Sequence, residues 1–389
     1  MKKMLIFLLS MLCWCCECRS QEDRVIPGDE QTSEYFSMLK EKRIAVFSNH
    51  TGMIGSKHVV DVLLENNLNV VAIFSPEHGF RGNADAGEHV SSSVDSKTGV
   101  PILSLYDGKP GKPSEQSMRK FDILIVDIQD VGLRYYTYYA SMCRLMDACA
   151  EYGRKMLILD RPNPNGHYVD GPILDMKHKS GVGWLPIPVV HGMTLGELAL
   201  MVNGERWLPA SRVCDVTVIP CKNYTHQTIY RLPVPPSPNL PNMKSVYLYP
   251  SICYFEATPV SLGRGTDKPF QVYGHPDMKG CDFSFTPRSV PGAKNPPQLN
   301  KLCYGVDLSG MDDEEIWKRG VDLTYVIDAY RNLNMGDHFF RSFFEKLIGV
   351  DYVRKMIEDG KSAEEIKAMW QDDVKKFKEQ RKSYLLYEE

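Results

Sequence analysis

From Arg43 onward, short apolar runs alternate with amphipathic segments. The apolar runs are continuous and rich in β-branched residues, which is typical of strands buried on both faces of a parallel sheet. They predict strands at 44–47, 70–74, 102–105, 123–126 and 156–159. Segments with helical spacing lie between or after them, near 57–66, 114–120, 138–151 and 194–205. This alternation predicts an α/β fold built on a Rossmann-like, doubly wound and mostly parallel sheet.

The pattern changes from about Asp215. A proline-rich stretch at 234–241 predicts extended chain, because each proline disfavours helix in the residue before it. Helical spacing then recurs near 312–318, 323–333, 338–347 and 352–358, and a capping box at 362–365 begins a last helix that continues towards Arg381. A chain of 389 residues also exceeds the usual size of one hydrophobic core. We therefore predict a catalytic Rossmann-like domain at 21–212 and a smaller, ancillary α+β domain at 213–389, with a cleft between them.

The N-terminal segment has the layout of a signal peptide. Lys2 and Lys3 precede an apolar run at 4–14, and polar sequence follows by 17–23. This run is too short to be a comfortable transmembrane span, and no later stretch approaches the roughly 20 apolar residues that a spanning helix needs. We predict a signal peptide at 1–20 and a secreted or periplasmic protein without a transmembrane segment. The cysteines at 13, 15, 16 and 18 leave a lipid anchor as the alternative to plain secretion.

Composition and motifs exclude several classes of function. A net charge of -3 with 24% charged residues gives no reason to expect nucleic-acid binding. The later cysteines are scattered without Cys-x-x-Cys spacing, and no His-x-x-x-His occurs, so the sequence predicts no metal site. The segment at 48–55 lacks Gly-x-Gly-x-x-Gly, and no phosphate loop or Gly-x-Ser-x-Gly elbow is present. We therefore predict no cofactor, and the sequence does not indicate an oligomeric state.

The loop after the second predicted strand carries an acid, an imidazole and a guanidinium. It reads Ser-Pro-Glu-His-Gly-Phe-Arg-Gly at 75–82, which places Glu77, His78 and Arg81 together. Because ligands gather at the carboxyl ends of the strands in such sheets, we predict a functional site here. The alternative is that Glu77 is an ordinary exposed glutamate.

Polar clusters follow the other predicted strands as well, and each has a structural alternative. Asn49 and His50 follow the first strand, where a helix cap is the alternative. The candidates after the fourth strand, after the fifth strand and before the helix at 194–205 are Asp127, Gln129, Asp130, Arg134, Tyr136, Asp160, Arg161, Asn163 and His191. An ion pair between Asp160 and Arg161 is the alternative for those two residues, and helix packing is preferred for Tyr138 and Tyr139. Together these side chains predict one wall of a pocket that can hold a hydroxyl-rich ring.

The second domain contributes a further set of candidates. Arg264 lies between two glycines, and such a backbone lets an anionic group approach the guanidinium. Asn239 follows the proline-rich stretch, and Glu256 and Thr266 flank the arginine. The alternative is a β-turn with a solvated arginine.

Taken together, these segments resemble the exo-β-N-acetylmuramidase family of secreted bacterial glycoside hydrolases. Its motifs are found here at 48–52, 75–82, 127–134, 160–164, 236–239, 263–266 and 384–387. The resemblance implies release of N-acetylmuramic acid from the non-reducing end of peptidoglycan fragments, in a cleft between a Rossmann-like domain and a smaller C-terminal domain. It places the proposed catalytic glutamate at Glu77. The chain departs from the pattern at 257–262, because relatives commonly carry Asn near Pro259 and Glu where Leu262 stands.

Glycoside hydrolysis generally needs two carboxyl groups. We assign the general acid to Glu77, with His78 beside it, and leave the second carboxylate open among Asp127, Asp130, Asp160 and Glu256. Arg264 is the chosen partner of the lactyl carboxylate, and Arg81 or Arg134 can share this role. Two other classes of function stay open: a secreted muramoyl-sugar-binding protein without catalysis, and a metal-dependent hydrolase of another envelope component.

Overall fold

The larger part of the chain is built on a mostly parallel sheet. The computed structural model describes residues 24–76, 80, 93–105 and 111–389. Within these residues, seven strands form one sheet in the order β5-β6-β4-β1-β7-β8-β9. They are β1 (Ile44–Ser48), β4 (Val70–Phe74), β5 (Ser93–Val94), β6 (Pro101–Leu103), β7 (Ile123–Asp127), β8 (Lys155–Leu159) and β9 (Asp215–Ile219), while β2 (Met53–Ile54) and β3 (Lys57–His58) form a separate hairpin. Only the edge pair β5-β6 is antiparallel.

Helices cover both faces of this sheet, because successive strand residues point to opposite sides. Ile44 and Val46 of β1 pack with α1 (Thr32–Leu39) and α2 (Val59–Glu65). Ala45 and Phe47 belong to the larger core, which contains α3 (Glu115–Met118), α4 (Tyr138–Tyr152) and α5 (Leu195–Gly204). The predicted α/β class with a doubly wound sheet is confirmed.

The second part of the chain combines helices with a small antiparallel sheet. Strands β10 (Val272–His275), β11 (Phe283–Phe285) and β12 (Cys303–Asp307) pair in the order β10-β12-β11. The helices are α6 (Met243–Ile252), α7 (Asp313–Arg319), α8 (Thr324–Leu333), α9 (Phe344–Ile348), α10 (Tyr352–Glu358), α11 (Ala363–Ala368) and α12 (Gln371–Arg381). This arrangement confirms the predicted smaller α+β domain.

Two predicted boundaries need correction. Strand β9 pairs with β8 along its whole length, so the large sheet extends past the domain boundary predicted after residue 212. The capping box at Ser362 and Glu365 is present, but the helix that it begins does not run unbroken to Arg381. It stops before Trp370, which is 1% exposed and donates a 2.8 Å hydrogen bond from Nε1 to Asp170 Oδ1. Burial of this indole sets the break between α11 and α12.

The sheet reverses its winding beside β1. The chain moves from β1 outwards through β4 to β6, and it then returns to the opposite side of β1 for β7 and continues through β8 to β9. Ser48 is paired in register with Asp127, and Phe47 with Phe74, so the loops after β1, β4 and β7 leave the same edge. Open α/β sheets bind ligands at such a switch point.

Candidate functional site

A cavity of about 230 Å³ lies between the start of α4 and the second domain. Four residues predicted from sequence line it together, namely Tyr136, Asn239, Glu256 and Arg264. The rest of its wall is formed by Tyr135, Thr137, Tyr138, Gly181, Val182, Ser237, Leu240, Tyr249 and Phe270. Sites for drug-sized ligands usually measure roughly 300–1,000 Å³, so a cavity of this size suits one substituted sugar ring.

Arg264 is held in the cavity wall by its glycine neighbours and by Glu256. Gly263 and Gly265 have φ values of +84° and +79°, and an added Cβ would lie 2.5 Å from Lys268 O and 2.3 Å from Arg288 O. The tight turn therefore requires both glycines. The guanidinium donates from Nη2 to Glu256 Oε1 at 2.6 Å and lies 5.0 Å from the centre of the Phe270 ring. One donor is thus used by Glu256, and the planar group has others with which to bind an anion.

The tyrosines at the start of α4 connect the cavity to the loop after β1. Tyr136 and Tyr138 donate from their hydroxyls to Pro236 O at 2.8 and 3.4 Å. Tyr138 also accepts a 3.0 Å hydrogen bond from Asn49 Nδ2, and a 2.9 Å contact joins His50 Nε2 to Pro235 O. Asn49 and His50 therefore lie next to the cavity. The preferred interpretation of Tyr138 as a packing residue was incomplete, because its hydroxyl bridges the two parts of the chain.

Asp130 is a buried carboxyl group with one unused oxygen. Its Oδ1 accepts from Gly132 N at 2.7 Å, whereas Oδ2 has no hydrogen-bond partner within the described part of the chain. Burial raises the pKa of Asp130 to about 7, although nearby backbone N–H groups act in the opposite direction. A carboxyl group in this state exchanges its proton near neutral pH, as acid–base catalysis requires.

Asp127 is committed to a buried ion-pair network. Arg161 donates from Nε to Asp127 Oδ1 and from Nη2 to Asp29 Oδ2, both at 2.6 Å. All three side chains are nearly inaccessible to solvent. This corrects two predictions: Arg161 does not pair with Asp160, and neither Asp127 nor Arg161 is presented to the cavity.

Asp160, Asn163 and His191 form part of the scaffold rather than of the cavity surface. Asp160 accepts from Thr194 Oγ1, Tyr387 Oη and Gly196 N. The amide of Asn163 donates to Met193 O and accepts from Asn165 N. His191 accepts from Met193 N through Nδ1, and burial together with Arg381 lowers its pKa to about 3. All three residues are buried and none lines the cavity, and their predicted contacts with substrate stay predictions.

Arg134 was also predicted to bind substrate, and the structure places it elsewhere. Its Nη1 donates to Pro172 O and Ile187 O, and its Nη2 to Leu347 O and Ile348 O, at 2.6–3.0 Å. The side chain is fully buried, and burial lowers its pKa. Arg134 therefore fastens α9 to the large domain and has no access to a ligand.

Two other predicted residues have mainly local roles. Gln129 donates from Nε2 to Asp130 O and Pro162 O, both at 2.8 Å, which joins the loops after β7 and β8. Thr266 donates to Gly263 O at 2.7 Å and stabilises the turn that carries Arg264. Both residues support the site through the backbone.

Glu77, His78 and Arg81 lie outside the described residues. The described residue that follows Gly79 is Phe80, which is buried and packs edge-to-face on His58 with ring centres 4.7 Å apart. A 2.7 Å contact also joins His58 Nε2 to the carbonyl of Asn49. Phe80 and Asn49 are thus joined through one imidazole at the carboxyl edge of the sheet.

Sequence reasoning missed Tyr249, Phe270 and the pair Gly181–Val182 in the cavity wall. Tyr249 and Phe270 have the spacing of ordinary core residues. The signal that could have singled them out is a neighbouring proline, which restricts the backbone conformation beside each of them. Among the residues that the structure describes, no group of His, Cys, Asp or Glu is arranged to hold a metal ion. The same residues contain no helix with the length and apolar character needed to span a bilayer.

Comparison with known proteins identifies the family. Profiles of the N- and C-terminal domains of the exo-β-N-acetylmuramidase NamZ match residues 44–244 and 247–387. The chain is 41% identical over 381 residues to the peptidoglycan β-N-acetylmuramidase NamZ of Bacillus subtilis, covering 92% of this chain and 90% of that protein. A crystallised DUF1343 family protein of Bacteroides fragilis is 76% identical with a TM-score of 0.89, covering 94% of this chain and 99% of its own. A second one from the same species is 28% identical with a TM-score of 0.79, covering 94% and 100%. The chain therefore belongs to the exo-β-N-acetylmuramidase family.

Proposed function

We propose that this protein is an exo-acting glycoside hydrolase that releases N-acetylmuramic acid from the non-reducing end of peptidoglycan fragments. The observation that carries the proposal is the cavity in which Tyr136, Asn239, Glu256 and Arg264 meet. The cavity has room for one sugar ring, and one terminal sugar is the unit that an exo-acting enzyme of this family removes. The role is turnover or recycling of cell-wall material.

The cavity has the chemistry that a muramoyl ring requires. Aromatic side chains from both domains, including Tyr136, Tyr249 and Phe270, line it and suit the C–H faces of a pyranose. N-acetylmuramic acid differs from N-acetylglucosamine by a lactyl carboxylate, and a guanidinium binds a carboxylate through charge-assisted hydrogen bonds. We assign that recognition to Arg264, whose Nη2 is oriented by Glu256 at 2.6 Å.

For the chemical step we assign the general acid to Glu77 and the second carboxyl group to Asp130. The described contacts support this choice among the four candidates. Asp127 is neutralised by Arg161, Asp160 accepts hydrogen bonds on both oxygens, and Glu256 is engaged by Arg264. Asp130 has no ion pair within the described structure, and its Oδ2 has no hydrogen-bond partner there. It does not itself line the cavity, but it interacts electrostatically with Tyr136, which does.

The decisive experiment uses a synthetic N-acetylmuramyl-β-1,4-N-acetylglucosamine disaccharide. Free N-acetylmuramic acid, identified by mass, is the expected product, and the anomer seen by NMR at early times shows whether configuration is retained or inverted. Glu77→Gln keeps the size of the side chain and removes the acid, so we expect a loss of at least about 10²-fold in kcat. Intact disaccharide after long incubation with the wild-type protein would overturn the proposal.

The same assay separates the alternatives. A sugar-binding protein without catalysis would bind the disaccharide in calorimetry and release no product. A metal-dependent hydrolase would lose activity with chelator and regain it with a divalent ion. We expect release that chelator does not change.

We further propose that the protein acts outside the cytoplasm, as a secreted or periplasmic protein or a lipoprotein. The support is the basic and then apolar N-terminal sequence at 1–20 and the cysteines near its end, all of which lie outside the described residues. Fractionation with N-terminal sequencing of the mature protein tests export. Labelling with radioactive palmitate distinguishes a lipid anchor from plain secretion.

A further inference from the structure

A two-residue hairpin forms one wall of the cavity. Ser180 and Gly183 form an antiparallel backbone pair. Ser180 N donates to Gly183 O at 2.9 Å, and Gly183 N donates to Ser180 O at 3.3 Å. The tip of this hairpin consists of Gly181 and Val182, and both line the cavity. The part of the chain that closes this side of the cavity is therefore small and is not part of either sheet.

The base of the hairpin is held firmly against the large domain. Trp184 donates its backbone N–H to Tyr139 Oη at 2.9 Å. The Trp184 ring lies 3.9 Å from Lys179 Nζ and 4.4 Å from Arg144 Cζ, so two cations contact one indole. On the other side, a Cβ on Gly183 would come within 3.2 Å of the Leu174 side chain, which leaves the hairpin little room to move back.

The hairpin and the loop after β1 contact α4 through different residues. Tyr138 bonds Asn49 in the loop after β1, whereas the next residue, Tyr139, bonds Trp184 at the hairpin. Consecutive residues of an α-helix point about 100° apart, so the first turn of α4 separates the two contacts. The loop after β1 and the hairpin therefore meet the start of α4 from different directions.

We propose that the hairpin at 180–183 is the barrier that restricts this enzyme to chain ends, an inference that rests on the proposed function. C1 and C4 occupy opposite positions of a pyranose ring. The anomeric carbon of N-acetylmuramic acid is then on the side of the loop after β1, and O4 is on the side of Gly181 and Val182, which line the cavity. In an internal muramoyl residue, O4 carries the next N-acetylglucosamine, which the hairpin excludes.

The test compares two synthetic ligands that differ by that one sugar. One is the muramoyl-glucosamine disaccharide, and the other is the trisaccharide with N-acetylglucosamine β-1,4-linked to O4 of the muramic acid. Affinities are measured by calorimetry in the Glu77→Gln background, so that turnover does not interfere. We expect the trisaccharide to bind at least about tenfold more weakly than the disaccharide, because the added sugar meets a fixed wall. Equal affinities would overturn the proposal without bearing on release of the terminal sugar, which the disaccharide assay tests separately.

Variants locate the barrier. Val182→Gly shortens the tip, and Trp184→Ala removes the ring that both cations contact. Either change should lower the ratio of disaccharide affinity to trisaccharide affinity by about tenfold. Val213→Gly is the matched control, since Val213 is 46% exposed and outside the cavity wall, and it should leave the difference unchanged. If both hairpin variants bind the disaccharide like the parent and still reject the trisaccharide to the same degree, the hairpin is not the barrier. The ligand comparison in the parent needs neither variant, so the proposal stays testable if one of them fails to fold.

Discussion

The phenolic hydroxyl of Tyr387 donates a 2.6 Å hydrogen bond to Asp160 Oδ2. Asp160 directly follows β8, so this contact joins the end of the chain to the carboxyl edge of the large sheet. Thr194 Oγ1 donates to the same oxygen at 2.6 Å, and Gly196 N donates to the other oxygen at 2.9 Å. The C-terminal tail is therefore part of the scaffold that holds the strand-end loops.

We expect Tyr387→Phe to destabilise the protein by about 1–3 kcal/mol, the usual value for a buried hydrogen bond to a charged or ionisable group. Urea unfolding followed by circular dichroism measures the change. Tyr384→Phe is the matched control, because its hydroxyl bonds Glu205 at 2.9 Å in a half-buried position, and it should cost less than about 1 kcal/mol. Equal effects of the two changes would show that the tail is not anchored through Asp160.

The ion-pair network of Asp29, Arg161 and Asp127 gives a second prediction. Arg161→Gln removes the cation and leaves the buried Asp127 carboxylate without its partner, so we expect a loss of about 3–5 kcal/mol in the free energy of unfolding. Asp29→Asn keeps the pair between Arg161 and Asp127, so its effect should be far smaller. Denaturant unfolding of both variants at pH 7 checks the difference. A loss below about 1 kcal/mol for Arg161→Gln would contradict the prediction.

The buried carboxyl groups predict a pH dependence of stability. Burial raises the pKa of Asp29 and Asp130 to about 7 and that of Asp160 to about 6, from an ordinary value of 3.8. Between about pH 4 and these values, the folded protein holds protons that the unfolded chain has lost. Each group therefore contributes stability that is fully present below about pH 4 and is lost as pH rises towards 6 or 7, at up to about 1.4 kcal/mol per pH unit.

Asp130→Asn tests both the pH dependence and the catalytic assignment. The amide does not ionise, so the free energy of unfolding of the variant should fall less steeply with rising pH than that of the wild type. Above pH 7 the variant should be more stable than the wild type. If Asp130 takes part in the chemistry, kcat should also fall by about 10²-fold or more, while the disaccharide still binds. Unfolding curves and initial rates across pH 4–8 measure the two effects. An unchanged slope would show that the native Asp130 is ionised, and an unchanged kcat would remove it from the mechanism.

The sequence predicted the fold because its strands are short, continuous and β-branched. The predicted strand at 70–74 has the observed bounds, and that at 44–47 ends one residue early. Strand β9 was missed because it alternates exposed and partly buried residues at the edge of the sheet, a weaker pattern than a buried run. The break at Trp370 depends on a hydrogen bond to Asp170, which is distant in sequence and invisible to local periodicity.

For the candidate site, residue type alone did not separate ligand contacts from scaffold. Arg134 and Arg264 both follow glycine-containing strand-end or turn sequences, yet one is enclosed by backbone carbonyls and the other lines a cavity. The difference arises from α9, which covers Arg134 and lies more than two hundred residues later in the chain. Pairing in space, rather than sequence spacing, decides which arginine can meet a ligand.

Arg264 and Glu256 give the last prediction, in which two changes have opposite signs. Arg264→Ala removes the proposed partner of the lactyl carboxylate, so KM for the muramoyl disaccharide should rise by about tenfold or more. An N-acetylglucosaminyl analogue without that group should be affected much less. Glu256 orients the same guanidinium at 2.6 Å, but its negative charge also opposes binding of the substrate carboxylate beside it. Glu256→Gln keeps an acceptor oxygen for the guanidinium and removes the negative charge, so KM for the muramoyl disaccharide should fall. Steady-state kinetics give KM of both variants on both substrates. If Arg264→Ala raises KM equally on the two substrates, this arginine has a structural role and does not recognise the lactyl carboxylate.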